Sequence, residues 1–159
     1  MSAAETTIEA DPTVPIIRLT RDFAATPGQL LRAHTDPGLF ARWVGPGSLE
    51  TRIDHWDARS GGSFRYRSVR EGAEFAFFSC FHEIRADRIV QTFTYEGDPD
   101  GVALQTLSFA DLGDGRTRLC TQSLVDSFAT RDGWLRSGMR TGVDEGYAKL
   151  EELIAHDIF

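Results

Sequence analysis

The amino-acid sequence predicts an α+β fold in which a seven-stranded antiparallel sheet curves around one long C-terminal helix. Three observations indicate it: short β-rich runs between residues 49 and 124, two short helical segments after the first strand, and a long amphipathic segment near the C-terminus. The connections between the β-rich runs are shorter than the roughly twelve residues of a parallel crossover, so these strands must be largely antiparallel.

The chain of 159 residues has the length of a single domain, and 41% of its residues are hydrophobic, which is enough for one sizeable core. Residues 1–14 are polar, and Pro12 and Pro15 interrupt any regular pattern there. We therefore expect a flexible N-terminal tail over residues 1–14 and a single domain over residues 15–159.

The first strand and two short helices follow the tail. The run IIRLTRDFAA at residues 16–25 is typical of a strand. Thr26-Pro27 and Asp36-Pro37 each combine an N-cap residue with proline at the first helical position, so each pair predicts the start of a helix. The second helix would contain Trp43 and end at the Gly-Pro-Gly breaker at residues 45–47.

Six further strands are predicted from runs rich in β-branched and aromatic residues, with turn sequences between them. These runs cover residues 49–56, 63–69, 74–84, 89–95, 102–112 and 116–124.

Residues 131–155 predict one long amphipathic helix, because their apolar residues recur at helical spacing and form one face. Gly138, Gly142 and Gly146 lie in or beside that face, although each glycine costs a helix about 1 kcal/mol relative to alanine. A glycine on a buried helix face allows close backbone approach or leaves space for a ligand. We expect close contact with the sheet at Gly142 and cavity space at Gly146.

Three motifs, in order along the chain, resemble those of one protein family. They are Trp43-x-Gly-Pro, Asp57-x-Arg-x-Gly-Gly, and Ser137-Gly-Met-x-x-Gly-x-x-Glu-Gly-Tyr. Over about residues 16 to 155 the chain is similar to homologues of the heat-shock-protein-90 ATPase activator, of the small stand-alone bacterial type, within the SRPBCC or START-like superfamily.

The resemblance implies a helix-grip fold with a hydrophobic cavity between the sheet and the long helix. Chaperone-activating members generally act within a larger chain that has an additional domain, so we do not carry that activity over. We expect a non-enzymatic binder of a small hydrophobic ligand. Two alternatives stay open: a polyketide cyclase- or hydratase-like enzyme, and a protein-interaction or chaperone accessory module.

The candidate cavity residues lie on apolar faces of the predicted elements. Gln105 shares a strand face with Leu107 and Phe109 and would be a fixed polar contact in an apolar pocket, unless its position is exposed to water. Trp43 either closes one end of the cavity or fastens the short helices to the sheet. The candidates are Trp43, Phe64, Tyr66, Phe75, Phe77, Phe81, Gln105, Leu107, Phe109, Leu135, Met139, Gly142 and Gly146.

The run at residues 74–84 is apolar on both faces of its predicted strand. Phe75, Phe77 and Phe81 lie on one face, and the other carries Phe78 with Ala76 and Cys80. The second face needs a cover, which a loop, a short helix or a second copy of the chain could supply. A homodimer and burial within the monomer are both open.

Composition excludes several classes of function. The net charge is −7 and no run is rich in lysine or arginine, which argues against partners such as nucleic acids and anionic membranes. No apolar run approaches 18 residues and the start lacks a signal-peptide pattern, so we expect a cytoplasmic protein. His34, His55, His82 and His156 belong to no recognised catalytic or metal-binding motif, so we predict no catalytic residue, metal site or cofactor.

Overall fold

The computed structural model describes residues 5–157, and within them one antiparallel sheet of eight strands carries four helices. The strands are β1 Thr7–Ala10, β2 Ile16–Phe23, β3 Glu50–Trp56, β4 Ser63–Arg70, β5 Ala73–Arg85, β6 Arg88–Tyr95, β7 Val102–Gly113 and β8 Arg116–Leu124. The helices are α1 Pro27–Thr35, α2 Pro37–Trp43, α3 Phe128–Arg136 and α4 Met139–Ala155. The predicted α+β architecture is confirmed.

The spatial order of the strands is β1-β2-β8-β7-β6-β5-β4-β3. Register shifts interrupt the pairing between Ile53 and His55, between Phe81 and Glu83, and near the end of β7. Such bulges bend strands and increase their twist, so the sheet curves and presents a concave face to the helices. The main core lies on that concave face, between the sheet and the helices.

The sheet has one strand more than the sequence predicted. Residues 7–10, expected within a flexible tail, form β1 and pair antiparallel with Ile17–Thr20 of β2. Asp11 ends β1 in a turn, where its carboxylate accepts from the Thr13 and Val14 amides and from the Arg18 side chain. Four polar or half-buried residues give too short a pattern to predict a strand without its partner. Residues 1–4 of the expected tail lie outside the described residues.

The two short helices begin where the sequence predicted. The Thr26 hydroxyl accepts from the Gln29 amide while the Gln29 side chain accepts from the Thr26 amide, which makes a capping box. Asp36 caps α2 by accepting from the Leu39 amide. The Trp43 indole nitrogen donates to the Ala33 carbonyl at 2.9 Å, so Trp43 fastens α2 to α1.

The predicted helix at residues 131–155 is two helices. The Ser127 hydroxyl caps α3 by accepting from the Thr130 amide, and α3 ends at Arg136. Gly138 then adopts a φ of 83°, a left-handed conformation that glycine tolerates best, and α4 starts at the next residue. Gly138 therefore marks a change of direction and is not part of a helix interior.

The roles expected for Gly142 and Gly146, the two glycines within α4, are wrong. A β-carbon on Gly146 would lie 3.0 Å from the Trp43 carbonyl oxygen and 3.4 Å from the Gly45 nitrogen, so this residue is the close approach between α4 and the end of α2. A β-carbon on Gly142 would meet only the Pro46 ring, at an ordinary distance of 3.7 Å. Neither glycine contacts the sheet at these positions, and Gly146 leaves no cavity space.

These distances predict opposite effects of alanine at the two positions. Gly146→Ala should lower the free energy of unfolding by about 1–2 kcal/mol, because the methyl group presses on backbone atoms that cannot rotate away. Gly142→Ala, the matched control, should raise it by about 0.5–1 kcal/mol, since alanine favours the helix and restricts the unfolded chain. Urea unfolding of both variants measures the difference, and a Gly146→Ala variant as stable as Gly142→Ala would contradict the assigned contact.

Candidate functional site

The concave face of the sheet and the helices enclose a cavity of two adjoining chambers. The outer chamber has a volume of about 640 Å³ and the inner one about 170 Å³, and both are lined by Leu19, Phe93 and Gln105. The outer chamber is also lined by Phe75, Phe77, Tyr95, Asp98, Gly101, Ser123, Trp134, Ser137, Met139 and Val143. The inner chamber is also lined by His34, Phe40, Trp43, Val44, Phe64, Tyr66, Gln91, Leu107, Thr121 and Tyr147.

A row of stacked aromatic rings runs from the inner chamber to the outer one. Tyr66 stacks on Phe77 with ring centroids 5.1 Å apart, and Phe77 stacks on Phe93 at 5.5 Å. Phe40 meets Tyr66 edge-on at 5.2 Å, at the inner end of the row. The row arises because Tyr66, Phe77 and Phe93 come from neighbouring strands and point to the same face of the sheet. It gives the cavity a continuous apolar side.

A second row, of polar side chains, crosses three strands beside the aromatic row. The Gln91 amide nitrogen donates to the Gln105 side-chain oxygen at 3.0 Å, and the Gln105 amide nitrogen donates to the Ser123 hydroxyl at 3.1 Å. These three residues are direct partners in the strand register. Gln105 is therefore a half-buried polar group between the two chambers, as expected if its strand face is concave.

His34 contributes an acceptor to the inner chamber. Its Nδ1 lies 2.7 Å from the Leu30 carbonyl oxygen, and since a carbonyl only accepts, Nδ1 carries the proton. Nε2 is then a lone-pair acceptor. The ring packs edge-on against Trp43 and Phe109, at 4.9 and 5.5 Å. Burial lowers the pKa of His34 to about 4, so the imidazole is neutral at pH 7.

Tyr66 and Tyr147 bring phenol groups to the same chamber. Burial raises the pKa of both, so both hydroxyls stay protonated and able to donate. The Thr121 hydroxyl faces Tyr147 and opposes part of that rise, yet Thr121 Oγ1 is sealed from solvent without a partner at hydrogen-bond geometry. Arg21 lies 5.7 Å from the Tyr147 ring centroid and pairs with Glu151 at 2.9 Å.

This fold agrees with that of known proteins. The family model of Activator of Hsp90 ATPase homolog 1-like protein matches residues 24–155, most of the chain. The chain belongs to that family. No curated protein matches it significantly.

Solved structures of bacterial proteins share the fold of this family member. A protein from Rhodobacter sphaeroides is 25% identical with a TM-score of 0.86, and the match covers 96% of this chain and 99% of that one. An AHSA1 protein from Silicibacter pomeroyi is 20% identical with a TM-score of 0.71, over 89% and 99% of the two chains. A protein from Mycobacterium smegmatis is 19% identical with a TM-score of 0.83, over 94% and 96%. The last two likenesses concern the fold alone.

The structure of this family member brings eight of the thirteen candidate residues to the two chambers. Trp43, Phe64, Tyr66 and Leu107 line the inner chamber, Phe75, Phe77 and Met139 line the outer one, and Gln105 lines both. The other five lie elsewhere. Phe81 and Phe109 are core residues, Leu135 lies half-buried on α3, and Gly142 and Gly146 face the segment after α2.

Sequence reasoning missed four polar residues of the inner chamber, namely Gln91, Thr121, Tyr147 and His34. Thr121 follows Leu119 by two positions on β8, so strand alternation could have identified it. Tyr147 lies three residues before the buried Leu150 on α4, which is helical spacing. His34 gave no such signal, because its place depends on how α1 packs against Trp43 and Phe109.

The other three histidines are exposed, and His55 Nε2 lies 2.9 Å from the Ser63 hydroxyl. Across residues 5–157, no group of three or more His, Cys, Asp or Glu side chains is placed to hold a metal ion. In the same part of the chain, no helix is both long and apolar enough to span a bilayer.

The convex face of the sheet carries the second apolar surface predicted from β5. Phe78, Val102, Leu104 and Leu124 lie there, each between 37 and 50% exposed, and Cys80 is exposed beside them. Leu104 pairs with Leu124 across β7 and β8. Within the described residues no loop or helix buries this surface, so the homodimer stays a prediction.

Sedimentation velocity of the wild type and of Leu104→Glu tests the homodimer. The wild type should dimerise, and the variant, which places a charge on the apolar surface, should not.

The buried His34 predicts a pH-dependent stability. Its folded pKa of about 4 lies below the ordinary 6.5, so between these values the unfolded state binds more protons, and stability falls as pH falls from 6.5 toward 4. The loss should reach about 2–3 kcal/mol. Hydrogen bonds from Arg18 and Arg118 lower the pKa values of Asp11 and Asp22. The stability that these two carboxylates contribute is therefore lost only in more acid solution.

The variant His34→Asn isolates this contribution, because asparagine does not titrate and its amide nitrogen replaces Nδ1 as a donor. Unfolding free energies of wild type and His34→Asn are measured in urea from pH 7 to 4.5. The slope with pH should be clearly smaller in the variant. Equal slopes would show that His34 does not titrate below its ordinary range.

Proposed function

We propose that this protein binds a small, largely apolar molecule in the cavity between the concave face of the sheet and α4. The observation that carries the proposal is the aromatic row Tyr66, Phe77 and Phe93, which joins the two chambers. Ligand sites are typically concave, mostly apolar and about 300–1,000 Å³ in volume, with a few fixed polar groups. The outer chamber lies in this range, and the Gln105 row supplies the fixed polar groups.

The apolar area of the cavity sets the strength of binding. A ligand that buries about 300 Å² of apolar surface gains about 7 kcal/mol, at about 25 cal/mol per Å². Before the cost of association this corresponds to a dissociation constant of roughly 10 μM. We therefore expect affinities in the micromolar range for a molecule that fills the aromatic row.

The enzyme alternative receives less support from the groups in the cavity. General acid–base catalysis works best with a group whose pKa lies near the operating pH. Burial moves the pKa of His34 down and those of Tyr66 and Tyr147 up, which takes all three away from neutrality. These groups are suited to hold a ligand by neutral hydrogen bonds.

Binding of the uncharged fluorophore N-phenyl-1-naphthylamine tests the proposal. The wild type should enhance its emission with a saturable, micromolar dissociation constant. Val143 lines the outer chamber on α4, so Val143→Phe should occupy part of the chamber and weaken binding at least ten-fold.

Val102→Phe is the matched control, because it makes the same change at a position that is 50% exposed on the convex face. This variant should bind the fluorophore as the wild type does. Absence of saturable binding by the wild type, or equal weakening by both variants, would overturn the proposed site.

A further inference from the structure

The inner chamber contains polar atoms that the fold itself leaves without use. Tyr66, Tyr147 and His34 line it, and each is more than nine-tenths buried. The hydrogen bond that His34 makes is through Nδ1 to the Leu30 carbonyl, which leaves the lone pair of Nε2 free to accept. The pKa of Tyr66 is raised by burial with no hydrogen bond opposing the rise. A buried hydroxyl without a partner costs about 1–3 kcal/mol, so these atoms are costly unless something binds them.

The inner chamber is also uncharged. Among the described residues that line it, none is an aspartate, glutamate, lysine or arginine, and His34 is neutral at pH 7. The Arg21 guanidinium lies against the Tyr147 ring and forms an ion pair with Glu151. A carboxylate or ammonium group in this chamber would lose its hydration without gaining a counter-ion.

The donors and acceptors specify which neutral group fits. His34 Nε2 accepts, so it needs a donor on the ligand. The hydroxyls of Tyr66 and Tyr147 can donate, so they need an acceptor. One hydroxyl group on the ligand satisfies both requirements. The inner chamber, about 170 Å³, has roughly the size of cavities known to hold a benzene ring.

From these observations we propose that the inner chamber selects the neutral hydroxyl-bearing end of the ligand, an alcohol or a phenol, while the apolar remainder follows the aromatic row into the outer chamber. This inference rests on the proposed function and adds the chemical class of the ligand and its orientation.

Three probes of equal length test the choice of head group at pH 7.5: 4-hexylphenol, its methyl ether 4-hexylanisole, and 4-hexylbenzoate. Each is titrated against the protein loaded with N-phenyl-1-naphthylamine. The phenol should displace the fluorophore at least ten-fold better than the benzoate, which is charged. It should also displace it at least three-fold better than the methyl ether, which cannot donate to His34.

Two isosteric variants test the orientation. Tyr66→Phe and Tyr147→Phe each remove one hydroxyl and should weaken binding of 4-hexylphenol about five-fold more than they weaken binding of N-phenyl-1-naphthylamine. Thr94→Val is the matched control, because Thr94 is equally buried but lies on the convex side of β6, in register with Phe78 and Val102. It should leave binding of the phenol unchanged.

Melting temperatures separate a loss of ligand contact from a loss of fold. Because the Tyr66 hydroxyl makes no hydrogen bond within residues 5–157, Tyr66→Phe should melt at or above the wild-type temperature while still binding the phenol less well. A lower melting temperature together with unchanged phenol affinity would mean that the hydroxyl serves the fold, which overturns the inference.

The outcomes distinguish this inference from the proposed function. If the fluorophore does not bind to the wild type, both fail. If the fluorophore binds and Val143→Phe blocks it, but the phenol has no advantage over the benzoate and the ether, only the choice of head group is overturned.

Discussion

The position of α4 depends on one contact between two backbones. Gly146 lets α4 approach the Trp43 carbonyl to a distance that leaves no room for a side chain. The next residue, Tyr147, stacks on the Trp43 ring at 5.9 Å, and the Trp43 indole is itself fixed to the Ala33 carbonyl. α1, α2 and α4 are thus tied at one point, where the inner chamber begins. Because packed interiors transmit small displacements, this contact sets the depth of the cavity beneath α4.

The cavity widens away from that point, since different constraints act at the other end of α4. The left-handed Gly138 lets the chain change direction between α3 and α4, so Trp134 and Met139 border the outer chamber from two helices. On the opposite side, bulges in β5 and β7 bend the strands that face the helices. The cavity is therefore narrow near Gly146, where α4 contacts α2, and wide near Gly138. The small inner chamber adjoins the larger outer one, and the aromatic row runs along both.

The parts of this fold that the sequence predicted are those that local chemistry determines. Thr26 and Asp36 cap their helices through residues three positions away, and strand alternation placed Phe75 and Phe77 on the same face. The parts it missed depend on distant backbone. Gly142 and Gly146 are one helical turn apart, and sequence could not tell which of them meets Trp43. β1 exists only through its pairing with β2, and its four residues carry no signal of their own. About a third of the residues that line the two chambers were accessible by this reasoning, because the aromatic members alternate along strands whereas His34 depends on how helices pack.

The composition of the inner chamber is the reverse of what stability alone would favour. Replacing Tyr66 by phenylalanine would keep the ring in the aromatic row and remove only a hydroxyl that makes no hydrogen bond within the described residues. The neutral His34 costs stability at acid pH for the same physical reason, namely that its charged form cannot be hydrated where it lies. These polar atoms stand next to an aromatic row that would pack without them. A hydrogen-bonding group in the chamber would recover this cost, which is the physical basis of the binding role proposed for them.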